Sequence, residues 1–322
     1  MSETAERAPS THNYLIDPRK FRDPEVTAHG ERRATVGLRR LETLWFCTGT
    51  LCNLECRNCY IESSPRNDRL VYIRHDEVVA YLDEIEETGL DTTTIAFTGG
   101  EPFMNPDMIA ILETTLERGY EALVLTNAMK PMMKVAEPLR GLRERYDARL
   151  TIRVSIDHYD QEVHEAERGA KSWAPAIKGL RWLSGHGFRI DLAGRLLSGE
   201  SEDEMREGYA ELFAREGIGV DAHDRRQLVL FPEMDAWRDA PEITTECWEK
   251  VGRSPDEMMC ASSRMVVKRK GEERPVVMPC TLLPYQKSFE LGHTLAESFQ
   301  EVPLNHPHCA QFCVLGGASC SG

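Results

Sequence analysis

Cys52-Asn53-Leu54-Glu55-Cys56-Arg57-Asn58-Cys59-Tyr60 is the stretch from which the rest of the chain can be read. Its three cysteines stand at the spacing C-x3-C-x2-C, shortly after an apolar run from Leu41 to Phe46. Thiolates packed this closely repel one another unless a metal takes up their charge. A structural zinc or iron–sulfur site usually takes four cysteines, whereas three leave one metal position open, the mark of a catalytic metal. On this stretch alone a zinc loop that borrows a distant fourth ligand stays open.

Working outward, Thr98-Gly99-Gly100-Glu101-Pro102 follows the short apolar run from Thr94 to Phe97. Leu125-Thr126-Asn127, Val154-Ser155-Ile156-Asp157 and Arg168-Gly169 come next, each at or just beyond the end of a predicted strand. Taken in order, these motifs resemble the radical S-adenosylmethionine (SAM) superfamily over roughly residues 42–200. The resemblance implies a partial six-strand (β/α) barrel of the TIM type, with its chemistry at the C-terminal face of the strands. It implies that Cys52, Cys56 and Cys59 hold three irons of a [4Fe–4S] cluster, the fourth being chelated by SAM. The reduced cluster would break the C5′–S bond to give a 5′-deoxyadenosyl radical that abstracts hydrogen from substrate. An electron donor such as flavodoxin or ferredoxin is implied with it.

By the same resemblance, Gly99 and Gly100 let backbone approach the methionine amino group, and Glu101 offers that cation a carboxylate. Ser155 and Asp157 match positions near the SAM ribose. Arg168 matches an arginine that binds the SAM carboxylate, a role suited to a guanidinium fork, with Arg195 as its rival. Asn127 either contacts SAM or caps a turn, and Tyr60 packs its ring against adenine.

Composition agrees with this class. The chain has 322 residues, enough for one large domain and a small one. Thirty-nine Lys and Arg against 53 Asp and Glu give a net charge of −14, which argues against a nucleic-acid groove or an anionic membrane surface. No apolar run approaches the ~18 residues of a membrane span, and the N-terminus shows no apolar signal segment. A cytoplasmic location is expected. In that reducing compartment ten cysteines read as metal ligands or inert thiols rather than disulfides. Cys47 reads as a buried inert thiol, His158 and His164 form no metal pair, and the five tryptophans, Trp237 among them, read as core or rim.

The pattern predicts an N-terminal arm over 1–40, a parallel α/β sheet over 41–235, which the resemblance implies is the partial barrel, and a small cysteine-rich α+β hairpin domain over 236–322. Strands are expected at 41–47, 93–97, 122–125, 150–156, 189–193 and 227–231. Helices are expected at 75–87, 106–118, 132–145, 172–184 and 202–215, the second capped by Asn105. The tail predicts a hairpin over 263–278 with Gly271 in its turn, flanked by Cys260 and Cys280. It resembles the SPASM/twitch group, whose barrel is followed by a hairpin domain holding auxiliary iron–sulfur clusters. Cys280 and Gly292 fit that pattern, but Glu297 stands where a cysteine is expected. The four Cys260, Cys280, Cys309 and Cys313 therefore look like the ligands of a single second [4Fe–4S] cluster, with Cys320, expected to fray, as the rival. The expected function is oxidation of a C–H position in a small molecule or peptide. A redox-neutral epimerase with Cys320 or Cys247 as hydrogen donor, and a non-catalytic iron–sulfur carrier, are the alternatives.

Overall fold

The computed structural model of the protein describes residues 17–197, 199–234 and 239–320, so Trp237 and the first part of the arm lie outside the described residues. A short β1 (Thr35–Val36) precedes the apolar run, which forms β2 (Thr43–Cys47) with every residue buried. Strands and helices then alternate: α1 (His75–Thr88), β3 (Thr94–Thr98), α2 (Met108–Glu117), β4 (Glu121–Thr126), α3 (Lys130–Lys134), α4 (Ala136–Tyr146) and β5 (Leu150–Ser155). The barrel continues with α5 (Gln161–Arg168), α6 (Trp173–Gly185), β6 (Arg189–Leu196), α7 (Glu202–Glu216) and β7 (Leu228–Pro232). The remainder holds α8 (Cys247–Val251), β8 (Ser263–Val267), β9 (Val276–Met278) and β10 (Val302–Pro303).

Local chemistry sets several of these ends. Ser201 and Glu204 form a reciprocal capping box at the start of α7, and Gly217 ends it in the left-handed conformation. The helix expected over 132–145 is instead two, α3 and α4, because Pro138 lacks an N–H and its ring crowds the carbonyl four residues back. Asn105 does not cap α2. Asp107 holds that position, while the Asn105 amide donates to the Ile73 carbonyl at 2.8 Å.

Strands β2 to β7 pair in parallel and in sequence order, as helical crossovers require. Their two faces divide by alternation. Leu44, Phe46, Ile95, Phe97, Val124, Ile152 and Leu192 pack under the helices. Trp45, Cys47, Ala96, Leu123 and Leu125 turn to the other face and pack with Met265, Val267 and Phe312 of the C-terminal region. This is the alternation expected of a sheet buried on both sides.

The hairpin is not a separate sheet. β8 pairs in parallel with β2, placing Leu44 against Arg264, and β9 pairs antiparallel with β8. One eight-stranded sheet therefore runs β7-β6-β5-β4-β3-β2-β8-β9 across the position where the sequence reading divides the chain. The last residues bridge its two ends. Phe312 packs against Phe231 of β7 with ring centroids 5.5 Å apart. Arg153 of β5 donates to the Cys320 carbonyl at 2.8 Å, and the Thr281 hydroxyl, just beyond β9, donates to the Cys320 thiol at 3.2 Å. Cys320, expected to fray, is only 5% exposed, because this contact buries it. The arm packs on the C-terminal region: β1 pairs with β10, and Arg33 meets Glu242 at 2.6 Å.

Phe312→Ala removes a side chain that is 1% exposed and holds the tail to β7. It is expected to destabilise the protein by about 3–5 kcal/mol, read as a lower denaturation midpoint in urea.

Candidate active site

The cysteine loop is laid down on the turn after β3 by backbone contacts. Thr48 N–H donates to the Thr98 carbonyl at 2.8 Å, Gly100 N–H to Gly49 at 2.8 Å and Glu101 N–H to Leu51 at 3.1 Å. A Cβ on Gly100 would fall 2.1 Å from the Leu51 carbonyl oxygen, and one on Gly99, whose φ is +136°, would fall 2.4 Å from that of Gly49. The same two glycines thus also admit the chain's own backbone at Gly49 and Leu51.

Glu101 lies beneath the loop and is 1% exposed. Its carboxylate accepts from the Thr126 hydroxyl at 2.7 Å, Asn127 N–H at 2.9 Å and Phe103 N–H at 3.2 Å. Burial pushes its carboxyl up to about 7, against the pull of these donors and of Arg168. Asn127 both caps its turn, accepting from Met129 N–H at 3.1 Å, and reaches the loop, donating to the Asn53 side-chain oxygen at 3.0 Å and toward the Cys52 sulfur at 3.9 Å.

The far side of the loop is held by charge. Arg168 meets Asp157 at 2.8 Å. Burial opposes the Asp157 charge, yet Arg168 and Arg195 outweigh it and hold the carboxyl below its usual range. Arg195 meets Glu167 at 3.2 Å. Glu167 also accepts from the Asn58 amide at 2.8 Å, and its carbonyl accepts from Arg57 N–H at 2.8 Å. Glu167 is thus a clasp between the cysteine loop, α5 and the end of β6. The sequence reading missed it, since one glutamate in an acidic helix carries no signal of its own. Ser155 stands half-buried at the end of β5, two residues before Asp157, which lies just beyond the strand. The charge on Arg168 acts on Cys56, and the Arg168 Nε is buried with no hydrogen-bond partner. An unpartnered buried donor beside the loop fits an anionic group such as a carboxylate.

Cys52, Cys56 and Cys59 bear on one another electrostatically. Burial pushes the Cys52 thiol up to about 12 and the Cys56 thiol up to about 11. Thiols held this way give up their protons to a metal rather than to water. Three thiols at this spacing suit a cubane, which takes each thiolate on a separate iron. Tyr60 turns toward the barrel interior, where Cys320, Cys59 and Cys47 bear on its hydroxyl and burial raises its pKa. Its ring packs against the second core beside Cys59.

The second group of cysteines gathers as well. Cys260, Cys280, Cys309 and Cys313 line one small apolar pocket, walled by Met258, Met259, Leu282, Leu283 and Leu304. Cys309 and Cys313 sit four apart in a π-helical segment, Cys309–Val314, which brings both to one side. Burial pushes the Cys260 thiol up to about 11 and raises Cys280, Cys309 and Cys313 further. Four convergent, mutually coupled thiols around an apolar hollow are a donor set for a closed iron–sulfur site. Cys320 lies close by but does not line the cavity. Glu297, in place of the expected cysteine, caps its own turn by accepting from His293 N–H at 2.6 Å. Cys247 opens α8, where its sulfur contacts the Thr244 hydroxyl at 3.3 Å.

Comparison with known proteins agrees with this geometry. The radical SAM superfamily profile matches residues 47–212. The chain belongs to the radical SAM superfamily. Radical SAM proteins use SAM and a [4Fe–4S] cluster, and the C-terminal region is consistent with the SPASM/twitch type. The antilisterial bacteriocin subtilosin biosynthesis protein AlbA of Bacillus subtilis is 28% identical over 79% of this chain and 58% of its own length. The chain thus spans well under two thirds of that relative. Streptococcus suis SuiB bound to its precursor peptide SuiA superposes with a TM-score of 0.60 at 13% identity, over 82% of this chain and 66% of that one. The protein anSMEcpe with bound AdoMet gives 0.59 at 14% identity, over 81% and 77%. Among the described residues no helix is long and apolar enough to cross a membrane.

Gly100→Ala is expected to push the Leu51 carbonyl aside and displace the cysteine loop. Iron bound after anaerobic reconstitution should fall by about one cubane's worth, about four per chain, while the circular dichroism of the barrel is retained.

Proposed function

We propose that this radical SAM protein oxidises an unactivated C–H position in a peptide, with Cys52, Cys56 and Cys59 holding the catalytic cluster and Cys260, Cys280, Cys309 and Cys313 a second one. The observation that carries the reading is the convergence of those four thiols on one apolar cavity, in a chain that already has a three-cysteine site. When bound, the catalytic cluster and SAM supply a 5′-deoxyadenosyl radical; hydrogen removal leaves a substrate radical that must lose an electron, and a second cluster is a fitting acceptor. The chain's own residues bind and orient. Glu101 would hold the amino cation of SAM, and the Arg168 Nε, buried without a partner, would bind its carboxylate. Glu167 keeps Asn58 and Arg195 in place, and the tail seals the barrel interior from water. An electron donor such as flavodoxin or ferredoxin serves the first cluster.

The peptide substrate is supported by AlbA, a bacteriocin biosynthesis protein, whose similarity over 277 residues extends well past the barrel profile. The likeness to SuiB concerns the fold. A redox-neutral reaction is the second reading, favoured by Cys320, a buried thiol beside Tyr60 that the cavity leaves out. Deuterium entering the substrate carbon from heavy water would select it, and stoichiometric oxidation without uptake would eliminate it. A carrier without catalysis would form no 5′-deoxyadenosine from SAM under reducing conditions.

Cys52→Ala, Cys56→Ala and Cys59→Ala should each abolish 5′-deoxyadenosine formation with the fold intact. With all three changed, the chain should retain about four irons. Adding Cys280→Ala should remove them; adding Cys320→Ala should not. SAM affinity should rise with pH through about 7, as the carboxyl that burial holds up to about 7 becomes ionised and able to face a cation. The change should be about tenfold between pH 6 and 8, measured by calorimetry. Glu101→Gln should flatten that dependence.

A further inference from the structure

Five lysines and arginines are buried among the described residues: Arg33, Arg153, Arg206, Arg264 and Lys268. Four of them have a carboxylate. Arg33 meets Glu242 at 2.6 Å, Arg153 meets Asp191 at 3.2 Å, Arg206 meets Glu202 at 2.9 Å and Lys268 meets Glu77 at 2.6 Å. Arg264 is 0% exposed and no carboxylate among the described residues lies within ion-pair distance of it. Its hydrogen bonds go to neutral carbonyls: Nη1 to Cys260 at 2.6 Å and Ser263 at 2.8 Å, and Nε to Ser298 at 3.1 Å. Its Nη2 is buried with no partner. A guanidinium taken from water without a counter-charge is among the costliest arrangements a core can hold. The charges that bear on this one are the thiols of Cys260 and Cys280, both lining the four-cysteine cavity.

We infer that Arg264 is the counter-cation of the second cluster: it neutralises the negative charge that four thiolates and their iron–sulfur core bring into an apolar cavity. The inference rests on the assignment of a cluster to Cys260, Cys280, Cys309 and Cys313. The fold places Arg264 where this is possible. β8 pairs with β2 and holds the arginine opposite Leu44, four residues after Cys260, so its fork reaches back along the chain to the Cys260 carbonyl. A cluster with four thiolates is net negative and becomes more so when it gains an electron. A fixed neighbouring cation favours the reduced form more than the oxidised one and so raises the reduction potential. Arg264 would thereby help the cluster take the electron from a substrate radical.

The test uses the full chain with Cys52, Cys56 and Cys59 changed to alanine, so that only the second cluster contributes signal. After anaerobic reconstitution, a dithionite titration followed by electron paramagnetic resonance reads its midpoint potential. Arg264→Met should move that midpoint to a more negative value at unchanged iron content, and Arg264→Lys should leave it near that of the parent. Loss of the cluster in Arg264→Met but not in Arg264→Lys would also support the charge role. An unmoved midpoint in Arg264→Met with full iron would overturn the inference while leaving the ligand assignment standing. Equal loss of iron in both variants would overturn it too, by assigning Arg264 a role of shape. A parent background without any cluster would overturn the ligand assignment and this inference together.

Discussion

The contact on which the structure depends is the hydrogen bond from Gly100 N–H to the Gly49 carbonyl, with Glu101 N–H to Leu51 beside it. It joins the turn after β3 to the segment that leads out of β2 into the three-cysteine loop. The two backbones are so close that neither Gly99 nor Gly100 has room for a Cβ. Because β2 and β3 pair in register from Thr43–Thr94 to Cys47–Thr98, the contact forms wherever the two strands end together. Placement of the loop is therefore a consequence of sheet register, not of loop preference. Glu101 follows directly, and its buried carboxylate ties the same turn to the end of β4.

Around that contact the molecule concentrates groups that would be unfavourable elsewhere. Thiols at both sites are pushed away from ionisation by burial. Arg168 keeps a buried donor without a partner, and Arg264 keeps a buried cation without a carboxylate. Polar groups left unmatched in a core are destabilising unless something not in the chain completes them. These two arginines each lie beside a cysteine group. The other buried cations Arg33, Arg153, Arg206 and Lys268 each meet an acid.

The C-terminal region is part of the barrel's construction. β8 extends the sheet beyond β2, and the tail crosses from the end of β9 to β5 and β7. An open six-strand barrel leaves its inner face and two edges to water; here the same segment that gathers the second cysteine group covers them. Any motion that loosened the tail would reach Cys309, Cys313 and the barrel interior together, since Phe312 lies between the two cysteines.

Some of this was determined by the sequence alone. The spacing of Cys52, Cys56 and Cys59, taken in order with Gly99-Gly100-Glu101-Pro102, points to the radical SAM superfamily, and such motifs are local. The alternation of short apolar runs with amphipathic helices names a parallel α/β sheet for the same reason, since periodicity is a property of a few consecutive residues. What only the tertiary structure decided is where distant residues meet. That β8 joins β2, that the tail buries Cys320, that Glu167 clasps Asn58 and Arg195, and that Arg264 stands without an acid all depend on contacts between residues far apart in the chain. No local pattern encodes them, because pairing register and burial arise only when separate elements pack, and a charged residue looks the same in sequence whether the fold gives it a partner or not.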